Sequence, residues 1–278
     1  MEKIDIVICL DKNLLPSLPS FINSVVYYIT GKWRINIICK KEEIEIFNNF
    51  IKNWFSIEIN ENIRINYFIP NNLCLEYCKF RKNSYMNLAR FFIKDVFNDL
   101  EKIIYLDTDM LVLYDLRKLW VLVDLNSENN YYAGCIDIFP ASIFYINNII
   151  KNYDIFLKWN KHHNGGLFVT NLNYWEEPIK KLYKLIERDM NDRIFENIFT
   201  EALQNIIFNN FYPIPIKWNI SGLGGTFLVK YVGLLKYYLP NESPYIIHWS
   251  GKYKPWRNKI VPFYNLWSKF NEMCVIKI

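Results

Sequence analysis

The chain has 278 residues, 51% hydrophobic and 22% charged, with a formal charge of +5, a profile that provides for a sizeable buried core and excludes a disordered chain. Lys and Arg form no dense block, so no nucleic acid is expected as a partner, and the mild positive balance suits a small anionic ligand or an anionic membrane surface. Asp5, Asp11 and Lys12 interrupt the first apolar stretch and no apolar run approaches the roughly 18 residues of a membrane span, so neither a secretory signal nor a spanning helix is expected, and the reading is of a cytoplasmic protein.

Residues 4–10 read as a first strand, followed by a turn at Asp11-Lys12-Asn13 and a helix over 17–30 that closes at Gly31. A second strand over 34–39, a helix over 41–54 and a third strand over 62–69 continue the alternation, which implies a mostly parallel sheet covered by helices. The six cysteines, Cys9, Cys39, Cys74, Cys78, Cys135 and Cys274, are scattered as in a protein with reduced, buried thiols. Cys74 and Cys78 stand at helical i, i+4 spacing, but no second pair completes a metal site. The spacing of Leu88, Phe91, Phe92, Val96 and Leu100 predicts a helix over 84–100. Arg90 lies within its apolar face, either snorkelling to solvent or holding a phosphate or sugar hydroxyl.

The run over 102–113 is apolar apart from Lys102 at its start and Asp107-Thr108-Asp109 within it. Ligands gather outside the carboxyl ends of buried strands in an open α/β sheet. In an extended segment residues i and i+2 point the same way, so these two acids either share one hard cation, with Thr108 facing elsewhere, or merely cap a turn. A helix is expected over 114–122 and a strand over 131–136, ending in Asp137. Residues 140–158 are aromatic and rich in Ile and Asn without clear periodicity, giving either an arm over a site or a surface excursion. In Asn164-Gly165-Gly166 the glycines are expected to precede a strand, letting backbone approach a ligand; they do not form a Walker-type phosphate loop. Residues 174–210 supply two helices, the second with Glu201 and Gln204 on one face. A short strand in 245–256 then carries His248 into a loop with Gly251, Lys252 and Lys254. The tail from 256 to 278 mixes Arg257, Lys259 and Lys269 with Phe263, Tyr264, Trp267 and Phe270, which suits either a closing helix or a peripheral contact with the inner face of a membrane.

In this order the segments resemble the retaining glycosyltransferases of family 8. Four landmarks carry the resemblance: the first strand with Asp11-Lys12-Asn13; Asp107-Thr108-Asp109 as an Asp-x-Asp motif; Asn164-Gly165-Gly166 followed by Asn171-Leu172 and Trp175; and His248, Gly251 and Lys254-Pro255-Trp256. The resemblance implies an α/β fold of the GT-A type, with a Rossmann-like, mostly parallel central sheet in a single compact domain. Residues 1–113 would form its nucleotide-binding half, 114–240 its acceptor-side half, and 241–278 a site-closing loop and C-terminal tail. It implies transfer of a hexose from UDP-glucose or UDP-galactose to a glycan, lipid-linked or protein-linked acceptor, with Mn²⁺ or Mg²⁺ held by Asp107, Asp109 and His248. Asp11, Asn13, Thr108, Gly251 and Lys254 would contact the nucleotide or its diphosphate. Arg90, Asn164, Gly165 and Gln204 would border the donor sugar and Asp137 the acceptor, making Gln204, Asp137 and Arg90 the candidate catalytic residues.

The physics agrees: a departing UDP leaves negative charge on its β-phosphate, and a metal with a fixed ammonium stabilises it there. Oxygen ligands with one imidazole suit Mn²⁺ or Mg²⁺ better than a soft metal. The chain departs from the family at Leu203-Gln204-Asn205, where Asp-Gln-Asp is common. This favours front-face substitution over double displacement and motivates a second reading, a non-catalytic nucleotide-sugar-binding or scaffold subunit. A two-metal phosphohydrolase would need a second acid cluster, and the sequence shows none.

Overall fold

The computed structural model describes residues 2–137, 162–193, 195, 199–225 and 243–273. Its strands are β1 (Ile4–Cys9), β2 (Trp33–Cys39), β3 (Ile63–Tyr67), β4 (Lys102–Leu106), β5 (Met110–Val112), β6 (Tyr132–Ile136), β7 (His163–Asn171), β8 (Tyr212–Ile214) and β9 (Ile246–His248). Its helices are α1 (Leu18–Tyr28), α2 (Ile44–Trp54), α3 (Ile57–Asn60), α4 (Asn72–Arg81), α5 (Ile93–Val96), α6 (Leu116–Leu122), α7 (Glu176–Asp192), α8 (Phe199–Ile207) and α9 (Tyr264–Glu272). One sheet has the order β3-β2-β1-β4-β7-β6-β8, and β5 pairs with β9 in a separate ribbon.

From β3 to β4 the strands are parallel, joined by helical crossovers such as α1 and α2, because parallel neighbours cannot be linked by a tight turn. β7 runs antiparallel to β4 and β6, and β6 is parallel to β8. The mostly parallel sheet expected from the alternation is present, with β7 as the reversed strand.

The central strand β4 is covered on both faces. Ile103 and Tyr105 join a core with Phe91, Tyr132 and Phe168. Ile104 and Leu106 join the opposite core with Ile6, Ile8 and Phe21. Side-chain alternation divides the strand between two cores, and this is why its sequence is apolar at successive positions. A third cluster lies around the ribbon, where Leu111, Ile247 and Trp249 meet Trp267 and Phe270 of α9.

Two local expectations change. Residues 84–100 do not form one helix: two 3₁₀ turns, Tyr85–Asn87 and Ala89–Phe91, precede α5. Leu88, Ala89, Phe91, Phe92 and Ile93 are all buried, so the segment fills the core on several sides rather than presenting one stripe. Gly165 and Gly166 lie inside β7, not before it. Residues 212–214 form β8, with Pro213 tolerated because β8 is the edge of the sheet. The stretch holding Cys74 and Cys78 is helix α4, N-capped by Asn71, whose Oδ1 accepts from the Cys74 N–H at 2.9 Å.

Burial pushes the Cys74 and Cys78 thiols up to about 12 and about 11. They behave as small apolar side chains. In the tail, Trp267 and Phe270 face inward, and Asn23 Nδ2 donates to the carbonyls of Phe270 and Met273 at 2.8 and 2.7 Å. These bonds satisfy carbonyls at the end of α9, and each buried aromatic contributes about 1.5–3 kcal/mol. The tail's apolar stripe is thus packed against α1 as a closing helix. Among the described residues no helix is long and apolar enough to cross a membrane. The segment 140–158, Lys161 and Cys274 lie outside the described residues.

Candidate active site

β4 ends at Leu106, and Asp107, Thr108 and Asp109 form the turn that carries the chain into β5. The two acids therefore converge through a turn, not through extended i, i+2 geometry. β5 pairs with β9 so that Met110 lies opposite His248, which brings the imidazole to the same place. Ligand-capable atoms of Asp107, Asp109 and His248 all lie within 4.8 Å of one another.

Each ligand is held from behind. Asp107 Oδ1 accepts from the Tyr105 hydroxyl at 2.9 Å and from Arg90 Nη2 at 3.1 Å. Arg90 Nη1 also donates to the Gly165 carbonyl at 2.8 Å, and its guanidinium lies 5.0 Å from the centre of the Tyr105 ring. Lys254 donates to Asp109 Oδ2 and, at 2.7 Å, to the Trp249 carbonyl. Burial alone would raise the Asp109 carboxyl, but the Lys254 ammonium beside it holds it well below the usual carboxylate range.

His248 is buried, with Nδ1 3.0 Å from Asn219 Oδ1 and Nε2 3.1 Å from Asp109 Oδ1. The Asn219 amide is oriented in turn, since its Nδ2 donates to Asn164 Oδ1 at 3.0 Å, an oxygen that also accepts from the Gly166 N–H at 3.0 Å. With the Asn219 oxygen facing Nδ1, the imidazole carries its hydrogen there. Its Nε2 lone pair then faces a carboxylate oxygen, and two acceptors so placed mark a position for a cation.

The glycines of β7 make the space. A Cβ on Gly166 would lie 2.5 Å from His248 Cε1 and 2.9 Å from Asp107 Oδ2, and one on Gly165 would lie 2.5 Å from Gln204 Oε1. The loop after β9 is shaped similarly: Gly251 has φ +112°, and a Cβ there would meet the Gly224 backbone at 2.8 Å. The trio thus fits a divalent metal on two grounds, the cradle that any side chain at Gly166 would fill and a donor set of two carboxylates and one imidazole.

Two cavities share Asn87, Arg90, Asp107 and Asp109. One, of about 310 Å³, is also lined by Asn164, Gly165, Glu201, His248 and Gly251. The other, of about 210 Å³, is lined by Cys9, Asp11, Leu14, Met86, Thr108 and Lys254. Burial pushes the Cys9 thiol up to about 12, so it offers no thiolate to that cavity. Thr108 is buried and its hydroxyl has no hydrogen-bond partner among the described residues.

Three residues singled out in the sequence do not line either cavity. Asn13 is exposed, and its N–H donates to Asp11 Oδ1 at 3.0 Å. Gln204 lies behind Gly165, with its Nε2 donating to the Tyr132 hydroxyl at 2.5 Å. Asp137 Oδ1 accepts from the Ser221 hydroxyl at 3.0 Å. Asp137 belongs to a second ligand-capable group with His162 and Glu201, whose atoms lie within 4.8 Å of one another. This corrects the expectation of no second cluster: residues 137, 162 and 201 are too far apart in the chain to read as one. Asn219 escaped the sequence reading altogether, and Tyr105, though it stands in the strand leading to the Asp-x-Asp motif, was given no role in it. Asn219 has no motif around it, whereas Tyr105 could have been found from its i, i+2 relation to Asp107.

Residues 5–259 match the profile of Glycosyl transferase family 8. The chain belongs to glycosyltransferase family 8. Among family relatives, it is 23% identical over 255 residues to probable galacturonosyltransferase 7 of Arabidopsis thaliana, covering 87% of this chain and 38% of the plant protein. It is 29% identical over 202 residues to probable galacturonosyltransferase 4 of the same plant, covering 69% of this chain and 31% of that protein. The chain therefore spans about a third of these two plant relatives. The human glycosyltransferase 8 domain-containing protein 2 is 23% identical, with 92% of this chain and 78% of that protein covered. Among solved structures, the galactosyltransferase LgtC in complex with donor and acceptor sugar analogs superposes with a TM-score of 0.76 at 20% identity, covering 98% of this chain and 96% of that one. The WbbM bifunctional glycosyltransferase gives 0.70 at 19%, covering 98% and 50%. These likenesses show that this family 8 chain has the GT-A fold.

Proposed function

We propose that the chain is a metal-dependent retaining glycosyltransferase that moves a hexose, glucose or galactose, from a UDP-sugar to a glycan or glycoconjugate acceptor. The observation that carries this reading is the convergence of Asp107, Asp109 and His248 where two cavities adjoin, with Lys254 beside them. The smaller cavity, lined by Asp11 and Leu14, takes the nucleotide, consistent with a nucleotide-binding half over 1–113. The larger, lined by Arg90, Asn164 and Gly165, takes the sugar and the incoming acceptor hydroxyl.

A bound Mn²⁺ or Mg²⁺ would supply positive charge against the diphosphate leaving group. Asp107 and Asp109 would hold it with His248. Arg90 and Tyr105 fix Asp107, and Asn219 fixes the tautomer and the plane of His248. The Lys254 ammonium, anchored by Asp109 and the Trp249 carbonyl, is preorganised beside the same leaving group. Asp137 and Gln204 act from outside the cavity lining, Gln204 by buttressing Gly165.

The test is release of UDP from UDP-glucose and UDP-galactose, with Mn²⁺ and with chelator. Folded protein that releases UDP from no nucleotide sugar in a panel, Mn²⁺ present, would refute the assignment. The position of Gln204 behind Gly165 favours one second reading, a nucleotide-sugar-binding subunit that binds UDP with Mn²⁺ but turns nothing over. Calorimetry run beside the turnover assay separates the two.

A further inference from the structure

A cavity of about 380 Å³ lies between the segment after β2 and the C-terminal end of α4. It opens beside the carboxyl end of a parallel strand, where ligands gather in sheets of this kind. Leu75, the buried Cys78 and the Tyr85 ring make an apolar floor, and Lys40, Lys79 and Lys82 bring three ammonium groups to its rim. Burial and the charges of Glu42 and Glu43 push the Tyr85 hydroxyl up to about 12, so that ring meets the cavity uncharged. Asn83 lines both this cavity and the larger one of the candidate active site, so the two adjoin.

The lysines are not spent within the fold. Among the described residues Lys40 has one ion pair, with Glu43 at 4.0 Å, and that carboxylate also accepts from the Lys12 N–H at 3.1 Å. Lys79 and Lys82 have no ion pair there. They stand at the end of α4, but two of its last carbonyls are closed by backbone: the Lys82 N–H donates to the Lys79 carbonyl at 3.1 Å and the Asn83 N–H to the Cys78 carbonyl at 3.0 Å. No described acid lines the cavity, so the charge over its floor is positive.

We propose that this cavity receives the acceptor as a phosphate ester on an aliphatic carrier, with the phosphate among Lys40, Lys79 and Lys82 and the chain over Leu75, Cys78 and Tyr85. The inference rests on the glycosyltransferase reading given above and names the acceptor class for it. Ammonium groups on flexible stems gather round a compact anion, and their hydrogen bonds to phosphate oxygens are charge-assisted. An aliphatic chain removes apolar surface from water as it covers the floor. An acidic glycan would satisfy the ammoniums but set its hydroxyls against Leu75 and Cys78, which leaves polar groups desolvated without partners. Through Asn83 the carrier's sugar end reaches the cavity in which transfer takes place.

The experiment is calorimetric titration of octyl phosphate, inorganic phosphate, octyl glucoside and glucuronate, each in metal-free buffer, into the wild type and Lys79→Gln/Lys82→Gln, with UDP plus Mn²⁺ titrated separately. Octyl phosphate binds the wild type about tenfold or more tightly than the other three probes. The double variant, whose exchanged side chains are exposed, loses about tenfold or more of that affinity and keeps the wild-type melting temperature and UDP affinity. Equal binding of octyl phosphate and octyl glucoside would overturn the proposal, as would unchanged octyl phosphate affinity in the double variant. Inorganic phosphate binding as tightly as octyl phosphate would remove the aliphatic carrier, and glucuronate binding best would put an acidic glycan in its place; either overturns the proposal. Loss of UDP affinity in the double variant would mark a structural effect and overturn it too. If the wild type binds no UDP with Mn²⁺, the glycosyltransferase reading itself fails; if UDP binds and octyl phosphate does not, that reading stands and the acceptor assignment falls.

Discussion

Replacing Gly166 by Ala adds one methyl group where the ligand trio needs room. The new Cβ would lie 2.5 Å from His248 Cε1, 2.9 Å from Asp107 Oδ2 and 3.0 Å from Met110 Cε. Carbon atoms in ordinary contact stand about 3.5–4.0 Å apart, so the imidazole must retreat by about 1 Å or more. It cannot do so while keeping the 3.0 Å contact to Asn219 Oδ1. Overpacking of this kind costs about 1–3 kcal/mol of stability. Loss of ligand orientation costs about 10- to 100-fold in metal affinity, and a 1 Å misplacement at a reacting centre costs about 100-fold in rate. The assay is Mn²⁺ affinity by calorimetry beside a thermal melt. Gly165→Ala is the control, because its Cβ presses on Gln204 Oε1 and meets Arg90 only at 3.5 Å; it should keep Mn²⁺ affinity within about threefold. Wild-type Mn²⁺ affinity in a folded Gly166→Ala protein would refute the assignment of the ion to this cradle.

Three further outcomes follow from the same contacts. Asn219→Leu removes the acceptor that fixes His248 Nδ1 and should weaken Mn²⁺ binding by about 10- to 100-fold, whereas an unchanged titration would show the imidazole to be held by packing alone. Asp189 is fully buried and accepts from the Tyr77 hydroxyl, Arg81 Nε and the Phe195 N–H at 2.6, 2.7 and 2.8 Å; Asp189→Ala should cost about 3–5 kcal/mol in urea unfolding, and a loss under 1 kcal/mol would contradict that role. Burial pushes the His163 imidazole down to about 3, so the unfolded chain binds more protons than the folded one below the ordinary histidine range. The stability this gives is fully present above about pH 6.5 and is lost as the pH falls toward 3. His163→Gln should flatten the pH dependence of the urea midpoint across that window, and an identical slope would rule the effect out.

The parts of the fold that depend on local pattern were legible. β1, β2, β4 and β6 follow from apolar runs bounded by polar turns, and the parallel arrangement follows from the helices between them. The turn at Asp107-Thr108-Asp109 is not separable in the sequence from an extended pair, because both geometries bring the carboxylates together. The helix expected over 84–100 failed because its apolar residues are buried on several sides, which one-dimensional spacing cannot reveal. Pairings across long separations were equally hidden: Asn219 behind His248, and Glu201 beside His162 and Asp137, depend on how α8 and the segment before β9 pack. Gln204, conspicuous in the sequence, is a buttress behind Gly165, while Glu201, one turn earlier, faces the cavity.

The central claim is that Asp107, Asp109 and His248 hold a divalent ion where a diphosphate binds. It is tested most directly by measuring UDP affinity with Mn²⁺ and with EDTA, in the wild type and in Asp107→Asn/Asp109→Asn. In the wild type Mn²⁺ should strengthen UDP binding by about 10- to 100-fold; the double variant should melt cooperatively and show no such gain. A double variant that keeps the Mn²⁺-dependent gain would contradict the account.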